Sequence, residues 1–569
     1  MVGKRGWDII VDGLEVEGVG HVFGLPGHPA ALYDSLYDSD IEPVLVRHEA
    51  SGSFMAYAYG KMKRSPGVCF ASPGPGVSNL VPGVLEAWSG CVPMLALGGS
   101  AALEHEGEGV FQETPQMEVF RGITKWGFRV LRAERASWAL RRALTLTVNG
   151  KPGPVYLEVP FDVGQEKTKE TRYHPSIHFV RSRPEPDFLK RAAELLLVAE
   201  RPVIVAGGGA LYSGCSAELV KLAELLGAPV LTTPSGRGVI PEDHPLSLGQ
   251  VGLYRTKLGR DAYQSADLVV SLGSRNEEFQ TAAWRYYPEG AAFIQVDIDP
   301  SELGRNFQPT VPIVADAKLF LLDLLAYTRE RVKKTPLSKM PRVKSIIEAT
   351  AAYMAEVQAE CGDASKPIKT KRVVYEACRV FGPKTVLVNE NGSQDLWSYY
   401  WPYWAVGALD GCVAPGEQTC MGLAVAGCIG AKLAAPERPV VCTTGDGAFQ
   451  MFMKEMPTAV QNKAPVTWVV LNNYSLGWIK LHERANKERY IAVDFEAQPD
   501  FVKIAEASGC YGTQVTDPED VKKALRKAKK ENERGVPAMV EFVVDPWDFP
   551  EGFKEFQPDL FTIRVQESP

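Results

Sequence analysis

The chain has ten cysteines but no Cys-x-x-Cys pair, no short tandem repeat and no basic surplus. It also lacks any uninterrupted apolar run near the roughly 20 residues a bilayer-spanning helix needs. Scattered cysteines in apolar contexts read as reduced core thiols and argue against a disulfide frame or a zinc site. Lys and Arg number 62 against 69 Asp and Glu, for a net charge of -7. Phosphate-backbone binding normally shows as a basic stripe, so a nucleic-acid partner is not expected, and any anionic ligand must be held by local donors. The opening "MVGKRGWDIIVDGLEVEG" meets polar residues too soon to offer a signal-peptide core. Neither a membrane nor an export route is expected, and a cytoplasmic location is.

What the chain does have is length and rhythm. Its 569 residues exceed what one core usually supports, and 45% hydrophobic with 23% charged residues is ordinary globular composition. Short Val/Ile/Leu runs alternate with helix-length amphipathic segments throughout, which predicts α/β domains with largely parallel sheets. In the first region "HVFGLPG", "PVLVRHEA", "GVCFASPGPG", "VPMLALGG" and "GPVYLEVP" are expected strands. In the second they are "PVIVAGGGA", "PVLTTPSGRG", "LVVSLGSR" and "FIQVDIDP", and in the third "TVLVNENGSQ", "PVVCTTGDGAF" and "VTWVVLNNYS". The segments "RSRPEPDFL" and "RVKKTPLSKMPRVK" read as linkers. The expected fold is thus three consecutive doubly wound parallel-sheet domains, at 1–180, 190–332 and 365–547, followed by a tail at 548–569.

One stretch carries chemistry. "PVVCTT" reads as a buried strand, "FQMFMKEMPTAV" as a helix that Pro457 kinks or cuts short, and "VTWVVL" as a second strand. A crossover of this kind returns the chain parallel to its start, so Asp446 and Asn473 are expected to meet at one sheet edge. That edge is where open parallel sheets bind ligands, beside a helix N-terminus suited to an anion. One carboxylate, one amide oxygen and a loop carbonyl suit magnesium bridging a diphosphate.

Gly445-Asp446-Gly447, then Asn472-Asn473 after residues 448–471, resembles the signature of thiamine diphosphate enzymes. The resemblance implies that Asp446, the Asn473 side chain and the Ser475 carbonyl hold magnesium, and that Gly447 and Ala448 present N–H groups to the diphosphate. "NENGSQ" resembles the loop that closes the other side of the diphosphate, through Gly392, Ser393 and Gln394. "TCMGLAVAGCIGA" resembles the segment, here Met421 and Gly422, whose apolar side chain bends the cofactor. In "RHEASGSFMAYAYG", Glu49 is identified by the same resemblance as the carboxyl group that activates the aminopyrimidine ring. Taken alone it would read as a helix N-terminal acid, favoured by the dipole. The resemblance further implies pyrimidine-binding, central and diphosphate-binding domains in that order. It also implies a homodimer or homotetramer whose active site lies between subunits, and a central-domain site that leaves FAD, ADP or no occupant open.

The substrate pocket is expected in "GVFQETPQMEVFRGITKW". It looks most like 2-hydroxyacyl-CoA lyases, with Pro115-Gln116 and Glu118 carrying that likeness, since acetolactate synthases share the Phe-Gln-Glu. Gln112 and Glu113 are then expected at the reacting carbon, and His28 in "GLPGHPAAL" as an acid-base group near the thiazolium. The tail "DFPEGFKEFQPDLFTIRVQESP", with its aromatics and Arg564, is expected to dock as a cover over a thioester. This reading expects a magnesium-dependent carbon–carbon lyase that cleaves an acyl-CoA substrate to formyl-CoA and a carbonyl compound. Its alternatives are an acetolactate-synthase-like carboligase and decarboxylase of 2-keto acids, and a non-catalytic nucleotide-binding regulatory subunit.

Overall fold

The computed structural model describes residues 3–27, 31–169, 172–332 and 335–562. His28 and Arg564 lie outside the described residues. The chain forms two compact units. The first comprises Met1–Val180, Pro415–Glu437 and Met451–Ala464, and the second Arg181–Ala414, Arg438–Gln450 and Pro465–Pro569.

The first unit is built on a six-stranded parallel sheet, ordered Glu42–Leu45, His21–Gly24, Gly67–Ala71, Met94–Ser100, Pro154–Pro160, Trp126–Arg129. Gly67–Ala71, Met94–Ser100 and Pro154–Pro160 are buried along their whole length, as strands covered on both faces must be. The helix Glu49–Lys63 is buried from Glu49 through Gly60. A second buried helix, Leu423–Ala434, packs along it. Gly430 makes this contact possible, because a Cβ there would stand 2.2 Å from the carbonyl oxygen of Met55.

The second unit carries two six-stranded parallel sheets. One is ordered Ser247–Gln250, Val230–Thr232, Pro202–Ala206, Leu268–Leu272, Ala292–Asp297, Val311–Val314, the 3-2-1-4-5-6 order of dinucleotide-binding folds. The other is ordered Cys412–Val413, Val386–Asn389, Val440–Gly445, Thr467–Asn472, Ala538–Val543, Tyr511–Val515. Numbered along its own segment, this sheet reads 2-1-3-4-6-5, the same order as the sheet of the first unit. The three-sheet α/β reading therefore holds.

Between the two sheets' segments the structure departs from a plain linker. Pro341, inside the basic stretch, opens the helix Pro341–Glu360, where a proline in the first turn loses no hydrogen bond. Arg237 and Glu242, both fully buried, form an ion pair whose guanidinium also donates to the carbonyls of Ser398 and Trp404, each at 2.8 Å. These bonds tie the two sheets of the unit together without leaving either charge unpaired. The described part of the tail is packed, not loose: Phe553 is fully buried beside Trp478, Phe549 and Phe561. No helix among the described residues is long and apolar enough to cross a membrane. The cysteines occupy core positions, seven of the ten buried.

Candidate functional site

Strands Val440–Gly445 and Thr467–Asn472 are adjacent and parallel, with Gly445 opposite Leu471. Their ends therefore emerge side by side, as the crossover argument requires. Pro457 falls in the first turn of a new helix, Met456–Gln461, after the first helix ends at Phe452. The crossover helix is cut short there.

Asp446 is 1% exposed, its carboxylate accepts a hydrogen bond from the Gln498 amide, and the nearby backbone of Asn473 and Gly447 favours its charged form. Burial nevertheless dominates and pushes its pKa up to about 7. The side-chain oxygen Oδ1 of Asn473 accepts from the Ser475 N–H at 3.1 Å, while its Nδ2 is buried without a partner. Ser475 itself is 3% exposed.

The loop at 392–394 reaches the same place. At Gly477 an added Cβ would stand 2.2 Å from the Ser393 hydroxyl and 2.6 Å from Asn473 Nδ2, so Ser393, Asn473 and Gly477 converge. At Gly392 and at Gly445 an added Cβ would meet nothing within 4 Å, which leaves open space above the strand ends. Gly447 backs onto Leu476 and Phe495, and Ala448 is buried. The Gln394 side chain faces into the fold, accepting from Thr370 at 2.8 Å and donating to the Pro546 carbonyl at 3.1 Å. It buttresses the loop.

These residues fit a magnesium diphosphate. A buried carboxylate held at high pKa, a buried amide short of one partner and an open glycine-lined edge all lack a compensating cation and anion. Among the described residues no three His, Cys, Asp or Glu side chains gather as a metal cluster, and this donor set needs only one carboxylate.

In the first unit Glu49 is 8% exposed and begins its helix, capped by His48, whose Nδ1 accepts from the Ala50 N–H at 3.1 Å. The Asn79 amide donates to Glu49 Oε2 at 3.0 Å, and Gly76 lies against the other carboxylate oxygen. The preceding residue pair is anchored through the Arg47 N–H, which donates to the fully buried Glu455 at 3.0 Å. Gly422 caps the helix Leu423–Ala434 with φ +90°, and a Cβ there would lie 1.9 Å from the Phe452 ring. Buried Glu86 accepts the backbone N–H groups of Gly416 and Cys420, fixing the loop that leads to Met421.

The segment expected to choose the substrate behaves differently. Gln112, at φ +61°, packs against Gly74. The Glu113 carboxylate accepts the N–H groups of Gly107, Gly109 and Val110, at 2.6, 3.2 and 3.1 Å, which hold its pKa below the usual carboxylate range. That is the arrangement of a turn-capping carboxylate. Gln116 is 1% exposed, accepting from the Gly74 N–H at 2.8 Å and donating to the Gly99 carbonyl and the Tyr156 hydroxyl at 3.0 Å. Glu118 pairs with Arg121 at the surface. Of the residues that carried the lyase likeness, Gln116 is engaged in the fold, while Pro115 and Glu118, together with Glu113, line a surface cavity.

Sequence reasoning missed Asn79, Glu86, Gln498 and Glu541. None stands in a motif; Asn79 and Glu86 meet candidate residues within the first unit, and Gln498 and Glu541 within the second, only through contacts distant in sequence.

Three family models of the thiamine pyrophosphate enzymes match the chain: the N-terminal TPP binding domain over residues 4–119, the central domain over 189–324 and the C-terminal TPP binding domain over 392–542. The chain belongs to the thiamine pyrophosphate enzyme family. Its relatives include a probable acetolactate synthase large subunit of Methanocaldococcus jannaschii, 34% identical over 559 residues, 95% of this chain and 92% of that one. Another probable acetolactate synthase large subunit, from Methanococcus aeolicus, is 32% identical over 95% of this chain and 92% of its own. The acetolactate synthase isozyme 3 large subunit of Escherichia coli is 29% identical over 95% of both.

Proposed function

We propose that this chain is a carboligase of the acetolactate synthase kind, which decarboxylates a 2-oxo acid and joins the remaining fragment to a second carbonyl compound. The observation that carries the reading is likeness along 95% of the chain to a relative named as a probable acetolactate synthase large subunit, joined by one of Escherichia coli named as an acetolactate synthase isozyme 3 large subunit. The 2-hydroxyacyl-CoA lyase reading is set aside in its favour. Its support lay in Pro115, Gln116 and Glu118, of which the Gln116 side chain is engaged in the fold and Glu118 pairs with Arg121 at the surface. Without a thioester substrate, the tail has no lid to form over one.

In this reading Asp446, Asn473 and the Ser475 carbonyl would hold magnesium, and the N–H groups of Gly447 and Ala448 would receive the diphosphate. Thiamine diphosphate, when bound, supplies the nucleophilic carbon and electron sink that decarboxylation of a 2-oxo acid needs. Glu49, buried and oriented by Asn79, would offer its carboxyl to the aminopyrimidine ring, and Met421 would support the bent cofactor. Gln112 would line the entrance for the acceptor. The carboxylate half would come from one subunit and the diphosphate half from another, in a homodimer or homotetramer. An adenine nucleotide at the central sheet is supported by its 3-2-1-4-5-6 strand order, a fold-level analogy.

The test offers the protein pyruvate, thiamine diphosphate and magnesium, and in parallel a panel of 2-hydroxyacyl-CoAs. Carbon dioxide and acetolactate are expected from the first and nothing from the second. Formyl-CoA release without pyruvate turnover would overturn the assignment.

A further inference from the structure

Gln498 lies on none of the motifs, yet its amide touches Asp446. It is brought there by the segment 493–498, which runs back along the loop that follows Asn473. The N–H of Leu476 donates to the Val493 carbonyl at 2.8 Å, the N–H of Phe495 donates to the Tyr474 carbonyl at 2.9 Å, and Ser475 bridges Asp494. Gln498 Nε2 donates to Asp446 Oδ2, and its Oε1 accepts from Asn472 Nδ2 at 2.9 Å. Asn472 Nδ2 also donates to Glu541 Oε1 at 2.7 Å, and Asn472 Oδ1 accepts the Tyr474 N–H at 2.9 Å. Asn472 is fully buried and Glu541 is 3% exposed.

The direction of this chain is forced. A carboxylate only accepts and a backbone N–H only donates, so Glu541 and the Tyr474 N–H together fix which end of the Asn472 amide is the donor. Asn472 then presents an N–H to Gln498, whose oxygen must face it, and the Gln498 NH2 is left to face Asp446. No choice of amide flip alters that outcome while the four bonds stand. The chain is anchored on two adjacent strands: Asn472 closes Thr467–Asn472, and Glu541 lies inside the neighbouring Ala538–Val543.

We propose that Gln498 is a positioning residue for the metal site: through the Glu541–Asn472–Gln498 chain it holds the Asp446 carboxylate in the orientation that receives the divalent cation. This rests on the reading of Asp446, Asn473 and Ser475 as the magnesium site. A partner that orients a metal-binding carboxylate typically changes metal affinity by about 10- to 100-fold when lost.

The experiment titrates the full-length protein with magnesium at saturating thiamine diphosphate, following cofactor binding by intrinsic tryptophan fluorescence, and records the unfolding midpoint of each cofactor-free variant. Asp446→Asn is expected to abolish magnesium-dependent binding. If it does not, the site reading itself fails. With that control in hand, Gln498→Leu is expected to raise the magnesium concentration for half-saturation by about 10-fold or more, with the cofactor-free midpoint unchanged. Unchanged or tighter binding in Gln498→Leu would overturn the inference, tighter binding meaning that the amide competes with the cation. Gln498→Glu keeps the size but replaces the donor by an acceptor and adds a negative charge. Simple electrostatic attraction would tighten magnesium binding in that variant, whereas loss of the positioning N–H weakens it. Weaker binding in both variants is the expected pattern, and tighter binding in Gln498→Glu would also overturn the proposal.

Discussion

Asp446 and Asn473 stand side by side because Gly445 lies opposite Leu471 in adjacent parallel strands. Strand register thus does what a short contiguous motif could not. It presents a side-chain carboxylate and a side-chain amide to the same point from the ends of two rigid elements, where little conformational entropy remains to be lost on binding.

The state of Asp446 makes this site sensitive to pH. In the cofactor-free protein burial pushes its pKa up to about 7. An acid whose folded pKa lies above its unfolded one binds more protons folded than unfolded. Its contribution to cofactor-free stability is therefore greatest on the acid side and declines as pH rises from about 4 to about 7. The same proton competes with the cation, so apparent magnesium affinity should fall about tenfold per pH unit below 7, with proton release on binding. Calorimetry in two buffers of different ionisation enthalpy counts that proton. Because Asp446→Asn is expected to abolish the binding itself, the proton is counted in the native protein, where a pH-independent affinity would contradict the assignment.

Glu49→Gln keeps the shape of a side chain whose Oε2 is held by Asn79 but removes its proton chemistry. Turnover of a 2-oxo acid should drop by about 10²- to 10⁴-fold. Fluorescence titration should still show thiamine diphosphate binding, and retained turnover would exclude Glu49 from the reaction.

Gly422→Ala should destabilise the fold by about 3 kcal/mol, since it combines a left-handed backbone position with overpacking. The added methyl would meet the Phe452 ring 1.9 Å away. Thermal melts of the single variant and of Gly422→Ala with Phe452→Leu should show partial recovery in the double. Equal melting of Gly422→Ala and the native protein would mean the loop tolerates a shift.

Gln116→Leu leaves the Gly74 N–H, the Gly99 carbonyl and the Tyr156 hydroxyl each short of a partner. It should cost about 1–3 kcal/mol in urea denaturation. The order of preference among carbonyl substrates should not change. A change in substrate order would return this residue to the pocket.

The sequence alone determined the three parallel sheets, the strand–helix–strand frame around Asp446 and Asn473, and the helix that Glu49 opens. Each rests on a local pattern: an apolar run long enough to be a strand covered on both faces, a glycine where a strand turns, or a proline where a helix restarts. Six strands of these sheets were not read from the sequence: Trp126–Arg129, Ser247–Gln250, Val311–Val314, Cys412–Val413 and Tyr511–Val515, which lie at sheet edges, and Ala538–Val543, which lies inside the third sheet. An edge strand pairs on one side only and needs a shorter or more mixed apolar pattern, so it leaves a weaker trace.

Tertiary structure alone decided which polar side chains reach the site and which are used up by the fold. Gln116 has the residue type of a reacting pocket, but a backbone N–H and a carbonyl brought near by folding claim its amide. Gln498 has no motif, yet a hydrogen-bonded chain from a neighbouring strand delivers it to Asp446. A buried polar group must find a partner, and which partner it finds is fixed by strand order and register, which local sequence does not encode.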